Sequence, residues 1–146
     1  MTLSTDDRLA LQDLYARYAY AFDSADADRW AALFTRDGRF APPAMPEVVG
    51  TAALRAFAAA RAEDAPGMRH LMSNVLVEPA DDGARGTAYF LCLRLGPDGL
   101  FRLRNFGRYD DVFEREDGTW KIATRTVVSE LAAGLVDLPF AFEQPS

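Results

Sequence analysis

Apolar residues recur at three- and four-residue steps through Leu11, Leu14, Tyr15, Tyr18 and Phe22, a period that predicts an amphipathic helix from about Thr5 to Phe22. Asp23-Ser24-Ala25-Asp26 interrupts it. A second short helix is expected next, with Trp30, Leu33 and Phe34 on one face and Asp26 as its N-cap. Asp37-Gly38 reads as a turn, Arg39 to Ala41 as a short strand, and the prolines at 42, 43 and 46 as a loop. Gly50-Thr51 opens a third helix carrying Leu54 and Phe57, and Pro66-Gly67 stops it.

Beyond that point the period changes from 3.6 to 2. Four strands are expected, over about Met68 to Glu78, Ala84 to Leu95, Leu100 to Arg115 and Thr119 to Ser129, joined by turns at 81–83, 96–99 and 117–118. Helices first and strands afterwards indicate α+β: a cone-shaped α+β barrel in which three N-terminal helices pack in a strongly curved, mainly antiparallel sheet. A bent sheet facing helices leaves a cavity. Both rows of Leu71 to Val77 are largely apolar, so the face away from the helices is expected to be covered by another subunit, giving a homodimer or higher homo-oligomer. The apolar tail from Leu131 to Phe142 suits either a cap on the cavity or an extended interface. Arg125, alternating away from Trp120 and Ile122, is expected on the outer face.

A length of 146 residues fits one domain spanning 1–146, and 49% hydrophobic residues supply a core. The lone Cys92 sits in an apolar run and reads as a buried thiol, consistent with a reducing cytoplasm. Neither a signal peptide nor a membrane-spanning stretch is recognisable, so no membrane partner is expected. A net charge of -6 with no basic cluster argues against nucleic acid.

The sequence contains no glycine-rich phosphate loop, no Cys/His cluster with metal spacing and no nucleophile elbow, so no cofactor and no metal are expected. With one histidine in the chain, imidazole proton transfer has to run through His70. Alternation puts His70, Met72 and Asn74 on one face of their strand. Two readings of that row are open: a chemical site, or polar groups that satisfy each other inside a core. Asp23 ends the first helix, where the negative pole of the macrodipole disfavours a carboxylate by about 0.3–1 kcal/mol. A nearby imidazole would compensate and be oriented in return; an Asx turn into the second helix is the alternative.

Taken together, Ala21-Phe22-Asp23-Ser24-Ala25-Asp26, Trp30, Asp37-Gly38-Arg39-Phe40, Arg69-His70, Ser73-Asn74-Val75, Gly107-Arg108-Tyr109-Asp110 and Asp117-Gly118-Thr119-Trp120 resemble the SnoaL-like members of the nuclear transport factor 2-like superfamily. The resemblance runs from about Asp6 to Val128. It implies that Asp23 and His70 stand where scytalone dehydratase and hexachlorocyclohexane dehydrochlorinase hold a catalytic Asp-His dyad. The dehydratase tyrosine before the aspartate is Phe22 here, and the dehydrochlorinase lysine is Tyr18, so neither substrate carries over.

The expected function is a cofactor-independent lyase or cyclase acting on an apolar, aromatic or polycyclic small molecule. Asp23 and His70 would be catalytic, and Tyr18, Phe22, Asn74 and Tyr109 would bind substrate. The alternative is a non-catalytic assembly or ligand-binding subunit resembling the small subunit of ring-hydroxylating dioxygenases.

Overall fold

The computed structural model describes residues 2–131 and, as backbone only, 138–140. Helix α1 spans Thr5–Asp23 and starts in a capping box: Ser4 Oγ accepts from the Asp7 N–H at 3.1 Å, and Asp7 accepts from the Ser4 N–H at 3.0 Å. Its buried stripe of Leu11, Leu14, Tyr15 and Tyr18 follows the apolar period of the sequence. Helix α2, Ala27–Ala31, is capped by Asp26, whose side chain accepts from the Arg29 N–H at 3.0 Å. It is shorter than expected, because Phe34 already begins strand β1, Phe34–Ala41. Asp37-Gly38 therefore does not precede the strand. It lies in an irregular stretch between Phe34 and Arg39, where β1 changes register against its neighbour.

The proline loop contains a two-residue strand that periodicity did not predict, β2 (Val48–Val49), paired with β1. Helix α3, Thr51–Ala59, starts at Gly50 as expected. Strands β3 (Met68–Ala80), β4 (Gly83–Leu95), β5 (Phe101–Glu116) and β6 (Thr119–Ser129) form an antiparallel meander. β1 joins β6 in parallel, so the order is β2-β1-β6-β5-β4-β3, and the sheet is mixed, curved and open. The expectation for the tail falls outside the described residues, except that the backbone of β7 (Leu138–Phe140) pairs with β5.

Three bulges bend the sheet, at Asn74-Val75 in β3, Arg104 in β5 and Ala123 in β6. Beside the second of these, a Cβ on Gly107 would meet the Val128 carbonyl oxygen at 2.0 Å, so only glycine lets β5 and β6 approach there. Each bulge inserts a residue and exchanges the faces of everything beyond it. α1 lies along β3: Arg8 donates to the Val77 carbonyl at 2.9 Å near one end, and Asp23 meets His70 at the other. The concave side holds the aromatic core of Tyr18, Trp30, Phe34, Phe40, Phe90 and Tyr109. Among the described residues, no helix is long and apolar enough to cross a membrane.

Candidate active site

Asp23 is the last residue of α1, and its carboxylate does not turn back onto the local backbone. Oδ2 accepts the His70 backbone N–H at 2.9 Å, and Oδ1 lies 2.6 Å from His70 Nδ1. An ionised carboxylate only accepts, so Nδ1 carries the proton and Nε2 is the nitrogen left for chemistry. Both side chains are nearly buried, at 11% and 12% exposure. The helix end that disfavours a carboxylate is thereby answered by one backbone dipole and one imidazole.

The electrostatic consequence is large. Burial alone would lower the His70 pKa, but the Asp23 hydrogen bond and the Cys92 thiol outweigh it and raise the value from 6.5 to about 9. At neutral pH the ring is therefore an imidazolium whose Nε2–H can be given to a substrate, and it becomes a base as pH rises toward 9.

The pair lines a groove of about 570 Å³ between the end of α1 and the start of β3, walled also by Ala19, Tyr20, Ser24, Arg69, Leu71 and Met72. Phe22 presents its ring edge-on to His70 at 5.5 Å and 83°. Behind it the rings continue inward, Phe22 stacked on Tyr18 at 6.2 Å and Tyr18 edge-on to Tyr109 at 5.7 Å. Tyr18 and Tyr109 are both buried in the core. Burial lifts the Tyr18 hydroxyl to about 12 and the Tyr109 hydroxyl well above its ordinary value, so both are neutral phenols.

Asn74 corrects the sequence reading. It takes a left-handed backbone (φ +54°) at the β3 bulge and is exposed, and the core-facing row beyond it passes to Val75 and Val77. Strict alternation stops at Ser73, so His70 and Asn74 do not share a row.

Arg125 is the second correction. The extra residue Ala123 turns it inward onto the side of Trp120 and Ile122, where it is fully buried. Its guanidinium makes two hydrogen bonds to Asp111, at 2.8 and 2.7 Å, and lies 4.2 Å from the Tyr18 ring centroid and 4.3 Å from that of Tyr109. Arg125 Nη1, Trp30 Nε1 and the Tyr15 hydroxyl are buried without a partner among the described residues. Sequence reasoning missed this cluster, although a signal was present: Asp111 shares its side of β5 with Tyr109 and Phe113, and a carboxylate in a buried row demands a cation.

Three helices in an open curved sheet, with a carboxylate at the end of the first and an imidazole on the facing strand, define a pocket-bearing α+β cone. Residues 4–126 match the SnoaL-like domain, and the chain belongs to that family. Solved structures agree. The chain is similar to Rv3472 of Mycobacterium tuberculosis, a protein of unknown function, with 31% identity, TM-score 0.79 and coverage of 87% of this chain and 73% of that one. It is similar to ActVI-ORFA of Streptomyces coelicolor, with 26% identity, TM-score 0.77 and coverage of 86% and 98%. A protein of Catenulispora acidiphila in complex with S-DNPA shows 25% identity, TM-score 0.78 and coverage of 87% and 96%. No curated protein matches the chain.

Proposed function

We propose that this chain is a cofactor-independent enzyme of the lyase or cyclase class, acting on a small, largely apolar ring compound. One observation carries the reading: the only imidazole in the chain is held by Nδ1 on a carboxylate, nearly buried, with its other nitrogen available. In this reading Asp23 fixes the tautomer, and His70 Nε2 takes a carbon-bound proton beside a carbonyl or returns one to a leaving oxygen. Phe22 holds the ring edge-on. Behind Phe22, Tyr18 and Tyr109 are neutral phenols in the core, and Arg125, its charge balanced by Asp111, lies against both rings and holds them in place. A similar protein of the same fold, solved with S-DNPA bound, supports a small-molecule ligand.

An activated carbon acid tests this without knowledge of the natural substrate. With 5-nitrobenzisoxazole, a base removes the ring C–H proton, the N–O bond breaks, and a coloured cyanophenolate appears. The wild-type protein should accelerate that elimination, and His70→Ala should lose about 10²-fold or more of the acceleration. A His70→Ala rate equal to wild type sinks the reading.

We propose further that a second copy of the chain covers the outer sheet face. Leu71, Leu91 and Phe106 pair across β3, β4 and β5 on that face, beside Tyr89, and Leu71, Tyr89 and Leu91 are 50%, 56% and 44% exposed. An exposed apolar patch of this kind can be buried against its own copy about a two-fold axis. Leu91→Glu should give a folded monomer by sedimentation where the wild type sediments as a dimer. A monomeric wild type would instead leave the face for a different partner, as the assembly-subunit alternative requires.

A further inference from the structure

The groove that holds the Asp23–His70 contact contains a third charged side chain. Ala19, Tyr20, Asp23 and Ser24 line it from one face of α1, and Arg69 lines it from β3. Alternation sets Arg69 in the outer row with Leu71, so its place in the groove needs a cause. In an antiparallel strand the N–H and C=O of one residue point to the same side, and residues two apart share that side. The His70 N–H points away from β4, to Asp23, and the Met68 N–H does the same, to the Ala65 carbonyl. The Met68 carbonyl therefore opens on that free edge, and Arg69 Nη1 donates to it at 2.5 Å. That bond folds the guanidinium over the edge, two residue rises or roughly 7 Å along the strand from His70.

The charge of Arg69 is not spent there. Among the described residues its guanidinium has no carboxylate partner, and the bond to a carbonyl leaves the Nε–Nη2 side, a two-pronged donor that matches a carboxylate. At neutral pH the groove thus carries the Arg69 guanidinium and the His70 imidazolium against one carboxylate, Asp23, both of whose oxygens are taken by His70. On a chain of net charge -6 this is a local excess of positive potential beside the imidazole. The same groove has an apolar wall. Tyr20 is 74% exposed and stands with Ala19 and Met72 as a face on which a flat ring can lie.

Building on the reading above, we propose that Arg69 takes a carboxylate of the substrate while the substrate's ring lies against Tyr20, so that the site selects cyclic acids over neutral ring compounds. Arg69 is then a binding and specificity residue. It fixes one end of the molecule by a fork of two N–H···O bonds, and the chemistry stays with His70. A neutral amide of the same shape offers the fork one oxygen and no charge, which is the basis of the selection. The bond to Met68 holds the guanidinium in place before the ligand arrives and so lowers the cost of ordering it.

2-Naphthoate and 2-naphthamide share a shape and differ in charge, so calorimetric titration of the intact chain with each reads the preference. The wild type should bind the acid about tenfold more tightly, and Arg69→Gln should bring the two affinities together. Arg69→Lys keeps the charge but loses the fork, and should fall between. Arg85→Gln makes the same change in net charge at the far end of the β3–β4 hairpin, where Arg85 stands opposite Glu78, and should keep the full preference. An equal loss in Arg85→Gln would mean general attraction by charge and overturn the assignment. Tyr20→Ala should weaken both ligands several-fold and leave their ratio unchanged. Equal affinities of the wild type for the two compounds, or an unchanged preference in Arg69→Gln, also overturn it. None of these measurements uses turnover. If His70→Ala keeps the wild-type elimination rate while Arg69→Gln loses the preference, the catalytic reading fails and the acid site stands; the reverse pair of results sinks the acid site alone.

Discussion

Asp111→Asn will destabilise the fold by about 3–5 kcal/mol, the cost of leaving a buried charge without its partner. Arg125 and Asp111 are both fully buried, and the guanidinium cannot shed its proton to escape the penalty. Burial alone would lower the Arg125 pKa, but the Asp111 charge and hydrogen bonds hold it above its ordinary value. Three tyrosine rings lie against the guanidinium and supply only the weak negative potential of their faces. For a chain of this length the loss corresponds to a fall in Tm of roughly 10–20 °C. Urea unfolding monitored by Trp fluorescence measures it, since Trp30 and Trp120 are both buried. The double change Asp111→Leu with Arg125→Met should recover much of the loss, because it removes the desolvated charges together. A single change costing under about 1 kcal/mol would mean that the pair is solvated in solution.

That pair also marks where the pattern of the sequence stops being readable. The long helix and the four long strands were legible because each buries one face along its whole length, and that repeats as a period of 3.6 or 2. β2 was not, since two residues cannot show a period, and the end of α2 was lost because Phe34 continues an apolar run from helix into strand. The bulges at Asn74-Val75 and Ala123 carry no polarity signature at all. A single left-handed residue or one inserted alanine leaves composition unchanged, yet it exchanges the faces of Asn74 and Arg125.

The candidate site divides along the same line. Asp23 announced itself by standing at the wrong pole of a helix, which calls for a compensating group but does not name one. Its partner lies 47 residues away, and only the resemblance to SnoaL-like proteins pointed to His70.

Replacing Asp23 by Asn will move the titration of His70 downward and change the pH dependence of every property that rests on it. In the wild type, burial lowers the imidazole pKa while the Asp23 hydrogen bond and Cys92 raise it, with a net value of about 9 against an ordinary 6.5. An amide still accepts the Nδ1 proton but carries no charge, so burial then dominates and the midpoint should fall to below about 7. The chain has one histidine, so its imidazole resonances report the midpoint directly by NMR. Because the folded pKa is raised, the stabilisation is fully present below 6.5 and is lost as pH rises through about 9. Wild-type stability should therefore decline across that window, by on the order of 2–3 kcal/mol, and Asp23→Asn stability should not. Elimination of 5-nitrobenzisoxazole runs the other way. The wild-type rate should climb with pH to a plateau above about 9 as the base form accumulates, whereas Asp23→Asn should plateau earlier and about 10²-fold lower, its imidazole less basic and no longer held by a charged partner. At neutral pH the gap between the two narrows, since little of the wild-type imidazole is then unprotonated. An unchanged NMR midpoint in Asp23→Asn would show that the carboxylate does not govern the ring, and the base assigned to His70 would lose its orienting partner.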